Sequence, residues 1–213
     1  MSSPELVDYY RRRAAEYEEI YAWAERQADL DVLREAIPAA LAGREVLEVA
    51  CGTGYWTERI SRTAKRIVAT DLAPEPMAIA RAKTCRCPVQ WRIADAYALD
   101  ASLGSFDGAF AGFWWSHVPR PRRALFLQSL HARLRPGARV VMFDNRCVEG
   151  VQPVDERDAE GNTYQRRRLR DGSETRVLKN FPTEEELAAT FSGFGEYAYR
   201  ALRYYWLIDY RLP

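Results

Sequence analysis

A glycine-rich stretch at residues 48–54 (EVACGTG) holds the residues best suited to chemistry in this chain. It has the pattern of a buried strand that runs into a turn built on Gly52 and Gly54, with the carboxylate of Glu48 near the strand end. Asp71 ends a second apolar run nineteen residues after Gly52. A strand–turn–helix–strand unit of that length brings an acid beside a ribose at the tip of a parallel sheet. The spacing therefore predicts that the chain binds a nucleoside.

The same turn indicates which nucleoside. A dinucleotide-binding loop carries a third glycine so that a pyrophosphate and a helix N-terminus can approach each other. That position is Thr57 here, and the bulky Tyr55 and Trp56 precede it. The loop instead suits S-adenosylmethionine (SAM), which has an adenine, a ribose and a zwitterionic tail but no pyrophosphate.

Four motifs resemble those of the class I SAM-dependent methyltransferases. Residues 48–54 are similar to the family's first motif, and Asp71 stands where the family has its ribose acid. Asp95 and Ala96 follow at the adenine position, and Phe106 opens the fourth strand together with Asp107. The resemblance covers nearly the whole chain and implies SAM as the cofactor and S-adenosylhomocysteine as its product.

The resemblance also implies which residues bind the cofactor. Asp71 would accept hydrogen bonds from both ribose hydroxyls, while Leu72 and Met77 would sandwich the adenine. A tyrosine or arginine of the first helix would reach the carboxylate of SAM. The expected cofactor-binding set is Tyr9, Arg13, Tyr17, Glu48, Ala50, Gly52, Thr53, Gly54, Trp56, Asp71, Leu72, Met77, Asp95, Ala96 and Phe113.

Residues 113–117 (FWWSH) follow the fourth strand, where the family places the methyl acceptor. Two tryptophans there favour a flat or cationic acceptor, or else form a hydrophobic wall. His117 could take a proton from the acceptor or could have a structural role. Asp144 and Asn145 could orient an acceptor amine or hydroxyl. The hypothesis has His117 and Asp144 as catalytic residues and Trp114, Trp115, His117 and Asn145 as acceptor-binding residues.

Metal-assisted transfer is not expected from this pattern. Catechol-type relatives hold Mg²⁺ with an acid after the fourth strand and an Asp-Asn pair after the fifth. Asp144 and Asn145 match the second part, but Phe113 and Trp114 stand where the first acid would be. Mg²⁺ prefers several oxygen ligands, so we expect no metal site.

Alternating strand and helix patterns predict an α/β, doubly wound, mostly parallel seven-stranded sheet with helices on both faces and an antiparallel C-terminal hairpin. We expect one domain over residues 1–213, with an N-terminal helical lid at 1–43 and a substrate-covering β-hairpin insert after strand five at 146–180. Tyr10, Ala14, Tyr17 and Tyr21 would share one face of the first helix. Strands are expected at 45–49, 66–70, 89–93, 108–113, 139–143, 164–169 and 174–178, a closing hairpin at 197–212, and helices at 29–41, from 57, from 75, at 121–134 and from 183.

The composition limits the partners. The net charge is +1, from 31 basic and 30 acidic residues, so the balance favours neither nucleic acid nor an anionic membrane. Four cysteines without Cys-x-x-Cys spacing and an N-terminus unlike a signal peptide predict a reduced, cytoplasmic enzyme. We expect a small-molecule acceptor and a monomer or homodimer.

The sequence thus predicts methyl transfer from SAM to a nucleophilic nitrogen, carbon or oxygen of a small metabolite, as in natural-product biosynthesis. The favoured acceptor is aromatic, indole-like or an amine. One alternative is a protein, peptide or RNA methyltransferase of the same fold that docks its substrate on Arg166–Arg168. The other is a SAM-binding protein without catalysis.

Overall fold

The computed structural model describes residues 4–213, in which the apolar runs form a mixed seven-stranded sheet. The strands of this sheet lie in the order β3, β2, β1, β4, β5, β10, β9. Their bounds are β1 Glu45–Val49, β2 Arg66–Asp71, β3 Val89–Ile93, β4 Phe106–Gly112, β5 Leu134–Asn145, β9 Gly195–Ala201 and β10 Tyr205–Arg211. The first five strands pair in parallel, and β10 is antiparallel to both β5 and β9. This is the doubly wound architecture that the sequence predicts.

Six α-helices accompany the strands within the described part of the chain. They are α1 Pro4–Arg13, α2 Gln27–Ala40, α3 Tyr55–Ile60, α4 Pro74–Arg81, α5 Arg123–His131 and α6 Glu184–Phe191. The strand order reverses direction between β1 and β4, and ligands of such sheets bind beyond the carboxyl ends of the strands at that point. No helix in residues 4–213 is both long enough and apolar enough to cross a membrane.

Strand alternation produces a core on each face of the sheet. Leu47 and Val49 of β1 pack on one face with Phe126 of α5. Val46 faces the other way and packs with Ile37 of α2 and Ile60 of α3. Because successive side chains of a strand point to opposite faces, a fully buried parallel sheet needs apolar residues on both.

The N-terminal segment lies over the carboxyl end of the sheet as a lid. Helix α1 packs through Leu6 and Tyr9 against Leu169 and Val177 of a small antiparallel sheet. That sheet consists of β6 Glu156–Arg157, β7 Thr163–Arg168 and β8 Glu174–Leu178. Three ion pairs fasten the lid to the turn between β7 and β8: Arg12 with Asp171, Arg170 with Glu16 at 2.7 Å, and Arg170 with Glu19.

Several expected bounds differ from the structure. The first helix does not continue along the face through Tyr21, because the backbone tightens into a 3-10 helix over Ala14–Tyr21. The helix expected at 121–134 is α5, which ends at His131, and β5 already begins at Leu134. A register shift lets Leu134 pair with Phe106 ahead of the main ladder, so Pro136 and Gly137 lie within the strand rather than in a turn.

Candidate functional site

The turn after β1 has a left-handed backbone at three positions. Ala50, Gly52 and Gly54 all have positive φ, between 54° and 75°. The amide of Gly52 donates to Asp71 Oδ2 at 2.8 Å, and Asp71 Oδ1 accepts from the amide of Ala73 at 2.9 Å. A Cβ on Gly52 would meet no atom within 4 Å, so this residue borders open space. The turn therefore holds the acid at the end of β2 beside an accessible backbone.

A cavity of about 770 Å³ begins at this turn, which we call the turn cavity. Its wall is mostly apolar and combines strand ends of the sheet with the lid. The lining residues are Leu6, Val7, Tyr10, Ala14, Tyr17, Ala50, Gly52, Thr53, Asp71, Leu72, Ala73, Pro76, Ala94, Ala96, Gly112, Phe113, Trp114 and His117.

Glu48 lies next to this cavity with an unsatisfied carboxylate. The side chain is 1% exposed, and its Oε2 has no hydrogen-bond partner. It borders a smaller void that also touches Ala50, Gly52 and Tyr17. Burial raises the pKa of Glu48 to about 8. An orphaned buried carboxyl at this place fits a ligand that brings a hydrogen-bond donor or a positive charge.

Of the fifteen expected cofactor-binding residues, eight line the turn cavity, and Glu48 and Trp56 border the smaller void. Pro76 lines the turn cavity in place of Met77, which is buried on the apolar face of α4. Ala94 and Ala96 line it, whereas Asp95 turns its Oδ1 to the amide of Tyr97. Gly54 packs inward, since a Cβ there would come within 2.8 Å of Ala80. Trp56 meets Phe143 edge-on in the core and reaches only the smaller void.

A second, larger cavity of about 1880 Å³ opens to solvent between the lid and the small sheet. We call it the basic cavity, because seven cationic residues and only three acidic ones line it. The cationic residues are Arg13, Arg26, Arg166, Arg167, Arg168, Arg170 and Lys179, and the acidic ones are Glu16, Glu19 and Glu25. Its remaining wall includes Tyr9, Tyr10, Tyr17, Phe113, His117, Asn145, Gln152 and Gln165.

The two cavities meet at four shared residues: Tyr10, Tyr17, Phe113 and His117. Tyr9 and Arg13, which were expected at the cofactor, lie in the basic cavity instead. Arg13 donates to the hydroxyl of Tyr9 at 3.0 Å. The shift follows from the direction of α1, whose Tyr9 side packs toward the small sheet and whose Tyr10 side faces the junction of the cavities.

His117 has both ring nitrogens engaged. Nδ1 lies 2.6 Å from the carbonyl oxygen of Leu178, which can only accept, so Nδ1 carries the hydrogen. Nε2 lies 2.7 Å from the hydroxyl of Tyr10 and accepts its hydrogen. Burial, and then the nearby Lys179 cation, lower the pKa of His117 to about 3. The ring is therefore neutral near pH 7 and is held in place, which does not suit the general base expected from the sequence.

Asp144 is also held and does not line either cavity. Its Oδ1 lies 3.0 Å from Nζ of Lys179 and accepts from the amide of Asn145, while its Oδ2 accepts from the amide of Ser116. Burial alone would raise the pKa of Asp144, but the Lys179 cation, His117 and the amides of Ser116 and Asn145 together outweigh it and hold this pKa below its usual range. Asp144 thus orients Lys179 and Asn145 rather than taking a proton.

The two tryptophans have different surroundings. Trp114 lines the turn cavity, whereas Trp115 is 1% exposed and packs against Phe126 and Phe191 in the core. Trp115 therefore is a hydrophobic wall and does not touch an acceptor. Among residues 4–213, no cluster of three or more His, Cys, Asp or Glu side chains could hold a metal ion.

Sequence reasoning missed Lys179 and Arg26, and it gave Arg166–Arg168 only as the docking site of a protein, peptide or RNA substrate. Lys179 and Arg167 come from the insert, where the basic run 166–168 had the pattern of a solvated face. Arg26 stands in a short 3-10 turn before α2, with no local motif around it. The one available signal was the alternation of β7, which places Gln165 and Arg167 on one face of the strand and Arg166 on the other.

Comparison with known proteins agrees with this geometry. A family model described as a methyltransferase domain matches residues 46–137. A ubiquinone biosynthesis O-methyltransferase of Azotobacter vinelandii is 29% identical over 132 residues, which are 56% of this chain and 56% of that protein. The chain thus spans about half the length of the curated relatives it matches.

Two solved structures match over almost their full length. The complex of DhpI with SAH has a TM-score of 0.77 and 28% identity, and the match covers 98% of this chain and 96% of that one. The complex of DhpI with SAM and HEP has a TM-score of 0.78 and 27% identity, and the match covers all of both chains. In sequence and in fold, the chain is similar to the SAM-dependent methyltransferases.

The residues at the turn fit the cofactor of this family. Asp71 has lone pairs left on both oxygens for the ribose hydroxyls, after accepting one amide each. Leu72 and Ala96 line the far part of the turn cavity, beside the place where the resemblance puts the adenine. Glu48 has an unpaired carboxyl oxygen on the side where an amino-acid tail would bring its ammonium group.

Proposed function

We propose that this chain transfers the methyl group of SAM to an oxygen atom of a small anionic molecule, such as a carboxylate or a phosphate ester. The strongest support is the guanidinium of Arg167, which lines the basic cavity without a carboxylate partner. Its guanidinium donates to Gln165 Oε1, from Nε at 3.2 Å and from Nη2 at 2.8 Å, and lies 5.8 Å from the ring centre of Tyr9. Among residues 4–213, no carboxylate lies within salt-bridge distance of this side chain.

Charge decides which acceptor suits the basic cavity. A partly buried cation without a counter-ion is costly, and an acceptor oxyanion would supply the missing charge. An amine acceptor in its charged form would instead be repelled by Arg167 and Lys179. We therefore place an anionic acceptor ahead of the aromatic or amine acceptor that the sequence favours. Trp114 and the rings of Tyr10, Tyr17 and Phe113 at the junction of the cavities still support the aromatic one.

The protein's own chemistry in this reaction is modest. When bound, SAM supplies a methyl group activated by a positively charged sulfur. An oxyanion has no proton to lose, so transfer to it needs no general base, in keeping with a neutral His117. Lys179, oriented by Asp144, and Arg167 would bind the acceptor, while Tyr10 and Phe113 at the junction of the cavities would exclude water and align the reacting atoms.

The relatives support oxygen as the methylated atom and a separate acceptor site. The curated relative from Azotobacter vinelandii is named an O-methyltransferase. DhpI was solved together with both SAM and HEP, which supports a second ligand beside SAM. Protein or RNA methylation remains the second candidate, because Arg166 and Arg168 are exposed at the mouth of the basic cavity.

The test uses SAM with a deuterated methyl group and a cell extract divided into small acids, other metabolites and macromolecules. We expect label in the acid-derived fraction, in a product with one negative charge fewer than its precursor. Alkaline hydrolysis of a carboxylic ester then releases deuterated methanol. Label in an amine, an indole or a macromolecule would contradict the anionic acceptor, and no label transfer at all would favour a SAM-binding protein without catalysis.

Arg167→Gln should reduce methyl transfer to the identified acid at least about tenfold, because a hydrogen bond to a charged group contributes about 1.5–3 kcal/mol. The matched control is Arg176→Gln, which removes a cation of the same small sheet that pairs with Glu156 and does not line either cavity. Equal losses in both variants would mean that Arg167 acts only through the fold.

A further inference from the structure

Arg26 is a buried cation at the wall of the basic cavity, and the reaction proposed above does not use it. The side chain is 6% exposed, and its guanidinium lies 4.3 Å from the ring centre of Trp23. Only its Nη1 has hydrogen bonds, both long: 3.3 Å to Asn145 Oδ1 and 3.4 Å to the hydroxyl of Tyr205. Its buried Nε has no partner.

Arg26, like Arg167, is a cation without an acidic partner in the described part of the chain. Among residues 4–213, no carboxylate is within salt-bridge distance of Arg26. A guanidinium offers five N–H donors in a planar fork and keeps its charge in proteins, so most of this donor capacity is unused. Such a buried group is costly unless something that the protein binds completes it.

The neighbours of Arg26 hold it at a defined place. Asn145 Oδ1 accepts from Arg26 and also from Gln152 Nε2 at 3.1 Å, and Asn145 Nδ2 donates to Asp144 Oδ1 at 3.1 Å. The same Asp144 oxygen accepts from Lys179. One hydrogen-bonded chain thus runs from Lys179 through Asp144 and Asn145 to Arg26.

We propose that Arg26 is a specificity-determining residue that binds a second anionic group of the acceptor. The inference rests on the proposed function, since it takes the first group to be the oxyanion held by Arg167 and Lys179. The acceptor is then a diacid: one acid is methylated, and the other pairs with Arg26 and stays free. A diacid would neutralise both unpaired arginines of the basic cavity at once.

The test compares acids that differ only in the second group. Succinate, glutarate and adipate are set against butyrate, valerate and caproate, and binding to protein saturated with S-adenosylhomocysteine is measured by calorimetry. At least one diacid should bind about tenfold more tightly than its monoacid, because it gains a charge-assisted hydrogen bond. In Arg26→Gln this preference should disappear, while monoacid binding stays unchanged.

The outcomes separate the two proposals. In Arg167→Gln both acids should weaken, and in Arg176→Gln neither should change. Equal binding of every diacid and its monoacid by the unchanged protein would overturn the role of Arg26, even if the variant fails to fold. The same conclusion would follow if Arg26→Gln kept the preference. If no acid binds at all, the carboxylate acceptor of the proposed function fails, and the dicarboxylic acid with it.

Discussion

The hydroxyl of Tyr10 donates a hydrogen bond to Nε2 of His117 across 107 residues of sequence, at 2.7 Å. Tyr10 belongs to α1 of the lid, and His117 follows β4, so this bond ties the lid to the sheet where the two cavities meet. Since the carbonyl of Leu178 fixes the other ring nitrogen, His117 joins three separate elements. The histidine that the sequence offered as a base is thus a structural link.

The pH dependence should reflect Lys179 rather than His117. Burial lowers the pKa of Lys179 to about 8, so its charge is lost as the pH rises through that value and acceptor binding weakens. The affinity for the acid is measured on protein saturated with S-adenosylhomocysteine. It should stay constant around pH 6.5, the ordinary pKa of histidine, and should fall above about pH 8. Calorimetry at several pH values measures this, and in Lys179→Arg the fall should disappear. A fall centred near pH 6.5 would assign the titration to His117.

Breaking the link should loosen the lid. Tyr10→Phe and His117→Gln each remove the same hydrogen bond, so the double variant should lose little more cofactor affinity than either single one. We expect a few-fold loss in each, measured as the Kd of S-adenosylhomocysteine.

The chain contains a matched control pair. His131 Nε2 is 2.7 Å from the hydroxyl of Tyr210, far from both cavities, so His131→Gln and Tyr210→Phe should leave the Kd unchanged. Additive losses from Tyr10 and His117 would show that the two side chains act separately.

Asp71→Asn should weaken SAM binding at least about tenfold, because an amide nitrogen cannot accept from a ribose hydroxyl and the charge is lost. The control is Asp107→Asn, since Asp107 accepts the amide of Glu45 at 2.7 Å but lies at the other end of the sheet. Calorimetry with SAM distinguishes the two. Unchanged affinity in Asp71→Asn would remove the ribose role from this acid.

Glu48 should make the cofactor-free protein less stable as the pH rises. Its pKa is about 8 in the fold and near 4.5 in the unfolded chain, so unfolding releases a proton between these values. The free energy of unfolding from this group is highest below about pH 4.5 and falls up to about pH 8.

Glu48→Gln should therefore gain stability over the unchanged protein at pH 7 and lose that gain near pH 4. Denaturant titrations at both pH values measure the difference. A gain of the same size at both pH values would mean that packing, and not ionisation, causes the difference in stability between the two proteins.

Local pattern was sufficient for the sheet and for the turn after β1. Residues 45–49 and 89–93 form strands with the expected bounds, and Asp71 meets Gly52 as its spacing indicates. These features depend on short stretches of chain, where glycine, alternation and apolar runs have direct backbone consequences.

The residues that line the basic cavity could not be predicted from local sequence pattern. Lys179 meets Asp144 from 35 residues away and Arg26 meets Asn145 from 119, and no periodicity records such pairings of single polar side chains. Two apolar residues were ambiguous for a related reason. Met77 and Trp56 fit a cofactor wall and a core equally well by type, and only the packing of α4 and α3 shows that both are buried.

The lid covers the two cavities unequally. Leu6, Val7, Tyr10 and Ala14 close over the turn cavity, whereas the basic cavity keeps a solvent-facing mouth beside Arg166 and Arg168. An acid could therefore enter and its ester leave while the spent cofactor stays beneath α1. Turnover would follow a compulsory order, with release of S-adenosylhomocysteine last and governed by how fast the pairs of Arg12 and Arg170 come apart.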